Sequence, residues 1–185
     1  MTLEEEVLGR VVALLERLAI PYMVTGSIAA SYHGHPRATH DADVVIDPSA
    51  TQADALVVEL EHAGFYVNAE TAKQAIRERR QFNAIETARA TKVDLIVRKA
   101  RPFSEEEFSR RLRLDLSFAR GVAVVTPEDA ILSKLEWARQ SGDSERQLRD
   151  AAGIVEISTS IDRAYIRLWA HDLGVLDLWE RITGS

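Results

Sequence analysis

Two aspartates, Asp41 and Asp43, stand at the start of an apolar run, residues 42–47, whose composition predicts a buried β-strand. Side chains two positions apart on a strand point to the same face, about 6 to 7 Å apart along the backbone. Two like charges at the end of a core strand repel each other, and their removal from water adds to the cost. A cation between them would relieve both problems, and oxygen ligands favour a hard ion such as Mg²⁺ or Mn²⁺ over zinc. We therefore predict a metal site at this acid pair.

A third carboxylate, Asp94, lies inside a second apolar run, with Lys92 two positions before it. A single acid in a strand is also common at a sheet edge or a strand end. Three carboxylates on adjacent strands, however, could hold two ions about 3.5 to 4 Å apart, which activate an attacking oxygen and stabilise a leaving phosphate. We predict that Asp94 completes the metal site. The alternative is an α/β domain with three unrelated aspartates.

Gly26 and Ser27 lie between a predicted strand and a short segment of small residues with helical character. A glycine at this junction permits close backbone approach, and the first N–H groups of a helix can bind an anion. The Ser27 hydroxyl could donate to a phosphate oxygen. The simpler interpretation of a Gly-Ser pair at such a place is a helix cap.

Hydrophobic periodicity predicts the elements that position these residues. The predicted helices in the first two thirds of the chain cover 3–18, 49–63 and 70–79, and the predicted strands cover 22–24, 42–47, 65–67, 81–88, 91–98 and 121–125. The short gap after residue 88 indicates a hairpin.

A change of character follows residue 125. Thr126 is a predicted N-cap with Pro127 at the first helical position, and the helix it begins extends to about Arg139. The sequence SGD at 141–143 ends that helix, and three more helices are predicted after it. We thus expect a mixed α/β (α+β) core over residues 1–125, with helices flanking a mixed sheet, and a helical C-terminal region over 126–185.

Composition restricts the classes of function. The chain has 185 residues and no cysteine, which excludes disulfides, zinc–thiolate sites and cysteine nucleophiles. No signal-like segment or membrane-spanning run is present, so we expect a soluble, cytoplasmic protein with no membrane partner. The formal charge of -6 argues against a surface that is basic throughout. Three basic clusters could still form a local patch or lie on solvated faces: Arg77, Arg79 and Arg80; Arg98, Lys99 and Arg101; Arg110, Arg111 and Arg113.

Together these residues resemble a known signature. Gly26-Ser27, thirteen intervening residues and then Asp41-Ala42-Asp43-Val44 are similar to the motif of the polymerase-beta-like nucleotidyltransferase superfamily, and Asp94 stands where that family has its third carboxylate. The resemblance implies a mixed sheet that carries the three acids, helices packed on it, and a nucleoside triphosphate (NTP) held by Mg²⁺.

A narrower resemblance is to small bacterial members related to abortive-infection (AbiEii-type) toxins, and it covers roughly residues 20–155. Arg37-Ala38-Thr39 before His40-Asp41 and the segment 126–139 carry it. It implies that Lys134 reaches the triphosphate and that Arg37 steadies a phosphate or orients the acid pair. The simpler alternatives are a lysine at a helix edge and an arginine paired with an aspartate.

The expected function is Mg²⁺-dependent transfer of a nucleoside monophosphate to a hydroxyl acceptor. The acceptor could be a tRNA end, as for a toxin with an antitoxin partner, a cationic aminoglycoside-like small molecule, or a protein hydroxyl. The alternative is a catalytically silent nucleotide-binding or partner-binding module of the same fold. We expect no zinc binding by the histidines near the acids, and we expect the three tryptophans to lie in the core rather than to serve as base-stacking platforms. These residues are His33, His35 and His40, and Trp137, Trp169 and Trp179.

Overall fold

The computed structural model describes residues 1–36 and 42–184, and within them the chain forms a mixed α/β fold. The helices are α1 (Leu3–Arg17), α2 (Gly26–His33), α3 (Ala50–His62), α4 (Ala69–Arg77), α5 (Pro102–Ser109), α6 (Pro127–Gln140), α7 (Glu145–Ile157), α8 (Arg163–Asp172) and α9 (Leu176–Thr183). The strands are β1 (Tyr22–Thr25), β2 (Ala42–Ile46), β3 (Phe65–Tyr66), β4 (Gln81–Glu86), β5 (Thr91–Val97), β6 (Leu112–Leu114) and β7 (Val122–Val124).

The seven strands of the described chain form one mixed sheet in the order β3-β4-β5-β2-β1-β7-β6. The strand β2 pairs in parallel with β5 and antiparallel with β1, while β1 pairs in parallel with β7. The predicted hairpin is confirmed, because β4 and β5 pair antiparallel across a short turn. The predicted fold class, a mixed sheet flanked by helices with further helices at the C-terminal end, is also confirmed.

One face of the central strands is buried. Side chains alternate between the two faces of a strand. Six apolar residues of β2 and β5 lie on the buried face, where α1 packs: Ala42, Val44, Ile46, Val93, Leu95 and Val97. The alternate positions, which include Asp43 and Asp94, therefore point to the other face.

The helix α6 joins the C-terminal helices to the sheet. As predicted, it begins after the N-cap Thr126, whose side chain accepts a hydrogen bond from the backbone N–H of Asp129. The carboxylate of Asp129 is fully buried and accepts hydrogen bonds from Thr126, from Arg110 and from Tyr165 on α8. Buried charge is tolerated when it is paired and hydrogen-bonded in this way. The network fixes the start of α6, which packs against α2, α7 and α8.

Two elements, α5 and β6, are absent from the sequence-based prediction. The helix α5 has only eight residues, and β6 has three, which is too short for hydrophobic periodicity to identify. The one available signal is Pro102 at the first helical position of α5.

The prediction of a core position for Trp137 is wrong, because its side chain is 53% exposed. Trp179 is buried, and Trp169 packs against Phe103 with 5.4 Å between ring centroids, so these two match the prediction. In residues 1–36 and 42–184, no helix has the length and apolar character required to cross a membrane.

Candidate active site

Asp43 and Asp94 are direct neighbours across the parallel strands β2 and β5. Asp94 is buried, and Lys92 Nζ donates to its Oδ2 over 2.9 Å. Its other oxygen, Oδ1, is buried and accepts no hydrogen bond from any described residue. A buried carboxylate oxygen without a donor is costly, so this position is suited to a ligand that brings positive charge.

The glycine turn lies directly against this acid pair. Gly26 has φ +65, in the left-handed region that favours glycine, and a Cβ placed on it would lie 1.9 Å from Oδ2 of Asp43. The preceding residue, Thr25, is the antiparallel partner of Asp43 on β1. No side chain fits at position 26 while the Asp43 carboxylate keeps its place.

The first turn of α2 begins at Gly26, beside Asp43. The side chain of Thr25, the N-cap, makes no capping hydrogen bond. The first N–H groups of a helix have no partner within the helix, and such groups bind anions well. Ser27 is buried in this turn and lines the same cleft as the two aspartates.

Lys134 on α6 forms an ion pair with Asp150 on α7, with 3.0 Å between Nζ and Oδ2. Both side chains are less than 10% exposed. The interpretation of Lys134 as a snorkelling lysine at a helix edge is therefore wrong, although the residue does line the cleft. Asp150 is thus an ion-pair partner of this lysine, a role that the sequence did not indicate.

A cleft of about 640 Å³ connects these groups. The outward-facing residues of β2 and β5 form its floor, the start of α2 borders it, and residues of α5, α6 and α7 form the opposite wall. The site residues that line it are Gly26, Ser27, Asp43, Asp94 and Lys134. The two other predicted site residues, Arg37 and Asp41, lie outside the described residues.

Two of the three basic clusters lie at the cleft. Its lining includes Arg79, Arg80, Arg98, Lys99 and Arg101. Asp47 pairs with both Arg79 and Arg98 and holds them together at the end of β2. The third cluster is engaged elsewhere: Arg110 pairs with Asp129, and Arg113 pairs with Glu16.

Glu107 on α5 is a cleft residue that sequence reasoning missed. It is buried, and Ser133 Oγ on α6 donates to its Oε1 over 2.7 Å. Burial raises the pKa of Glu107 to about 7, and the negative charge of Asp129 adds to this effect. Nothing in the sequence marks this residue, because α5 itself was not predicted.

The described part of the site supplies two carboxylates for a cation. In that part of the chain, no group of three or more His, Asp or Glu side chains is placed to hold a metal ion. The predicted third ligand, Asp41, is outside it. The acid oxygens of Asp43 and Asp94 are of the kind that hard divalent cations prefer.

No protein-family model matches the sequence, and no curated protein matches it at a significant level. Solved structures do match the fold. An antigenic nucleotidyltransferase-like protein from Paracoccidioides brasiliensis is similar with a TM-score of 0.61 at 18% identity, over 97% of this chain and 92% of that chain. The antibiotic-resistance factor ANT(2'')-Ia, solved in complex with adenylyl-2''-tobramycin, is similar with a TM-score of 0.54 at 15% identity, over 100% of both chains. The chain therefore has the fold of nucleotidyltransferases, in agreement with the polymerase-beta-like superfamily that its motif resembles.

Proposed function

We propose that this protein is a Mg²⁺-dependent nucleotidyltransferase that moves a nucleoside monophosphate from an NTP to a hydroxyl acceptor. The observation that carries the proposal is the position of Asp43 beside Asp94, with the Gly26 turn in direct contact with Asp43. A sheet edge does not explain these acids, because β2 and β5 are interior strands of the sheet, and Asp94 lies in the middle of β5 rather than at its end.

The residues fit a divalent cation. Asp43 and Asp94 would hold it, together with Asp41 if the motif applies in full, and Oδ1 of Asp94 is a buried acceptor without a described donor. When bound, Mg²⁺ neutralises phosphate charge and makes the attacking oxygen more reactive. Mn²⁺ suits the same oxygen ligands.

The chain's own groups would bind the nucleotide. The N–H groups at the start of α2 and the Ser27 hydroxyl would donate to phosphate oxygens, and Lys134 would add a positive charge from α6. Asp150 would orient Lys134 by their ion pair. Arg37 would add a second phosphate contact, as the resemblance implies.

The transfer itself replaces one bond to the α-phosphorus by another. The acceptor oxygen bonds to phosphorus, the bond to the bridging oxygen of the β-phosphate breaks, and pyrophosphate leaves. The proton of the acceptor hydroxyl passes to a carboxylate, for which Asp94 is the candidate. Positioning and charge stabilisation account for most of the acceleration in this type of reaction.

The charges of the cleft favour an anionic acceptor, such as the end of a tRNA, over a cationic drug. Of the described residues that line the cleft, eight are Lys or Arg and four are Asp or Glu. Two of the four acids are the proposed metal ligands, and Glu136 is paired with Arg101. A polycationic acceptor would need more free carboxylates than this lining offers. An RNA acceptor would suit a cytoplasmic toxin controlled by an antitoxin partner.

The test is incubation of the purified protein with α-labelled NTPs, Mg²⁺ and three acceptors: bulk tRNA, tobramycin and total protein. We expect labelled tRNA from the parent and at least a hundredfold less from Asp43→Asn and from Asp94→Asn, because an oriented charge is lost at the reacting phosphate. Asp54→Asn, at an exposed aspartate paired with Lys73, is the matched control and should retain full transfer.

Two results would contradict the proposal. Equal labelling by the parent and Asp43→Asn would exclude the metal role of that residue. Tight NTP binding without pyrophosphate release on any acceptor would identify the silent binding module instead. Labelling of tobramycin in preference to tRNA would correct the acceptor class alone.

A further inference from the structure

Trp137 is an exposed aromatic side chain inside the cleft. It lies on α6 and is 53% exposed, while most large apolar side chains of the described chain are buried. Among the described residues no aromatic ring or guanidinium group packs on its indole. A flat apolar ring with a free face is well suited to stack on the base of a nucleotide.

Gln147 supplies an unsatisfied polar group in the same cleft. It lies on α7 and lines the cleft, and its Oε1 is buried with no hydrogen bond from any described residue. A buried acceptor without a donor is unfavourable, so a ligand N–H placed there would stabilise the complex. The amide also carries donors beside this oxygen. Such a side chain can bind the edge of adenine, where an amino group lies next to a ring nitrogen.

The α6–α7 hairpin places these two residues on the same side of the Lys134–Asp150 ion pair. The helices run antiparallel around a short loop and are linked by the Lys134–Asp150 ion pair. Trp137 is three positions after Lys134 on α6, and Gln147 is three positions before Asp150 on α7. Three positions make about one helical turn, so both residues lie one turn beyond the ion pair in the same direction.

We propose that Trp137 and Gln147 form the base-recognition site of this protein and that the preferred base is adenine. The base would stack on the Trp137 indole, and its amino group would donate to Oε1 of Gln147. This inference rests on the proposed function, because it assumes that the phosphates lie against Lys134, one turn away on the same helix.

The experiment measures binding of ATP, inosine triphosphate and inorganic tripolyphosphate to the full chain with Mg²⁺ by calorimetry. Inosine triphosphate replaces the amino group of adenine by a carbonyl, and tripolyphosphate lacks a base altogether. The parent should prefer ATP to both. Trp137→Ala should weaken ATP binding about tenfold or more, as expected for loss of one base–aromatic stack, and should leave tripolyphosphate binding unchanged.

Two variants and a control make the test specific. Trp137→Phe should restore most of the ATP affinity, and Gln147→Leu should bind ATP and inosine triphosphate equally. Leu168→Ala removes a similarly exposed apolar side chain, on α8 and outside the cleft, and should behave as the parent.

The outcomes separate this inference from the proposed function. Equal affinity of the parent for ATP and tripolyphosphate would overturn the base site and leave the transferase intact. Lower transfer by Trp137→Ala with unchanged ATP affinity would also overturn it and would assign the indole to the acceptor. ATP binding that depends on Trp137, without nucleotide transfer, would support the base site and reject the transferase.

Discussion

Lys134 and Asp150 form a buried ion pair that joins α6 to α7 at the wall of the cleft, with 3.0 Å between Nζ and Oδ2. The pair lies between two packed helices, and its lysine lines the cleft where a triphosphate would bind. Loss of either partner should therefore affect stability as well as nucleotide binding.

We expect Lys134→Met to lower the free energy of unfolding by about 3 to 5 kcal/mol, because removal of one partner breaks a buried ion pair. The double variant Lys134→Met/Asp150→Leu removes both charges and should recover much of this loss. Urea denaturation of the parent, the single variant, the double variant and a control measures both effects. Arg167→Met, which breaks an exposed ion pair with Glu180, is the control and should have little effect. A double variant as unstable as the single one would contradict this account.

Replacement of Gly26 by alanine should disturb Asp43 directly. The added Cβ would lie 1.9 Å from Oδ2 of Asp43, and the residue has φ +65. Gly142→Ala is a matched control, because Gly142 has φ +70 with nothing within 4 Å of its Cβ position. Both variants carry the same backbone strain, of about 1 kcal/mol. We expect the Gly26 variant alone to lose nucleotide transfer and to unfold at a clearly lower urea concentration; identical behaviour of the two would show that the contact is unimportant.

Divalent cations should stabilise the parent through Asp43 and Asp94. A ligand that binds only the folded state at a hundred times its Kd adds about 2.7 kcal/mol to the free energy of unfolding. We expect Mn²⁺ to raise the Tm of the parent in a concentration-dependent way and to have no such effect on Asp94→Asn. Calorimetric scans with and without a chelator measure this. An unchanged Tm for the parent at millimolar Mn²⁺ would argue against a cation site.

The buried Glu107 predicts a pH dependence of stability. Its pKa is raised from 4.5 to about 7 by burial, so near pH 6 the folded chain holds a proton that the unfolded chain has lost. The protonated Glu107 thus stabilises the folded state relative to the unfolded state. This stabilisation is fully present below pH 4.5 and is lost as the pH rises through 7, and its size is on the order of 3 kcal/mol. Glu107→Gln should therefore match the parent near pH 4.5 and be more stable at pH 8. The measurement is the free energy of unfolding in urea at a series of pH values. The same change with pH in the two proteins would refute the prediction.

The sequence predicted the central strands well because their burial and their function leave local signals. The apolar run after Asp43, the Gly26 turn and the Thr126 cap are all visible within a few residues. Which strand lies beside β2 is a long-range property, and the register of Asp43 with Asp94 appears only in the sheet. The prediction that Asp94 joins Asp43 depends on the pattern of the carboxylates and on the resemblance to a known motif, neither of which specifies the register.

Three cleft residues, Trp137, Glu107 and Gln147, could not be identified from the sequence, for a different reason. The spacing of Trp137 among aliphatic residues of a helix predicts a core position. Such spacing identifies the buried face of a helix only when the element that packs on it is known. Its helix packs through other positions and leaves the indole in the cleft. Glu107 and Gln147 are ordinary polar residues in sequence, and only the tertiary structure gives them their buried positions in the cleft wall.

The parallel pairing of β2 with β5 also has a consequence for folding. The segment between these strands includes α3, β3, α4 and β4, so the pairing of Asp43 with Asp94 closes a long loop of the chain. The glycine turn and Asp43 are close in sequence, whereas the mutual repulsion of the two carboxylates arises only once β5 pairs with β2. Capture of a divalent ion would thus report that these two strands have paired.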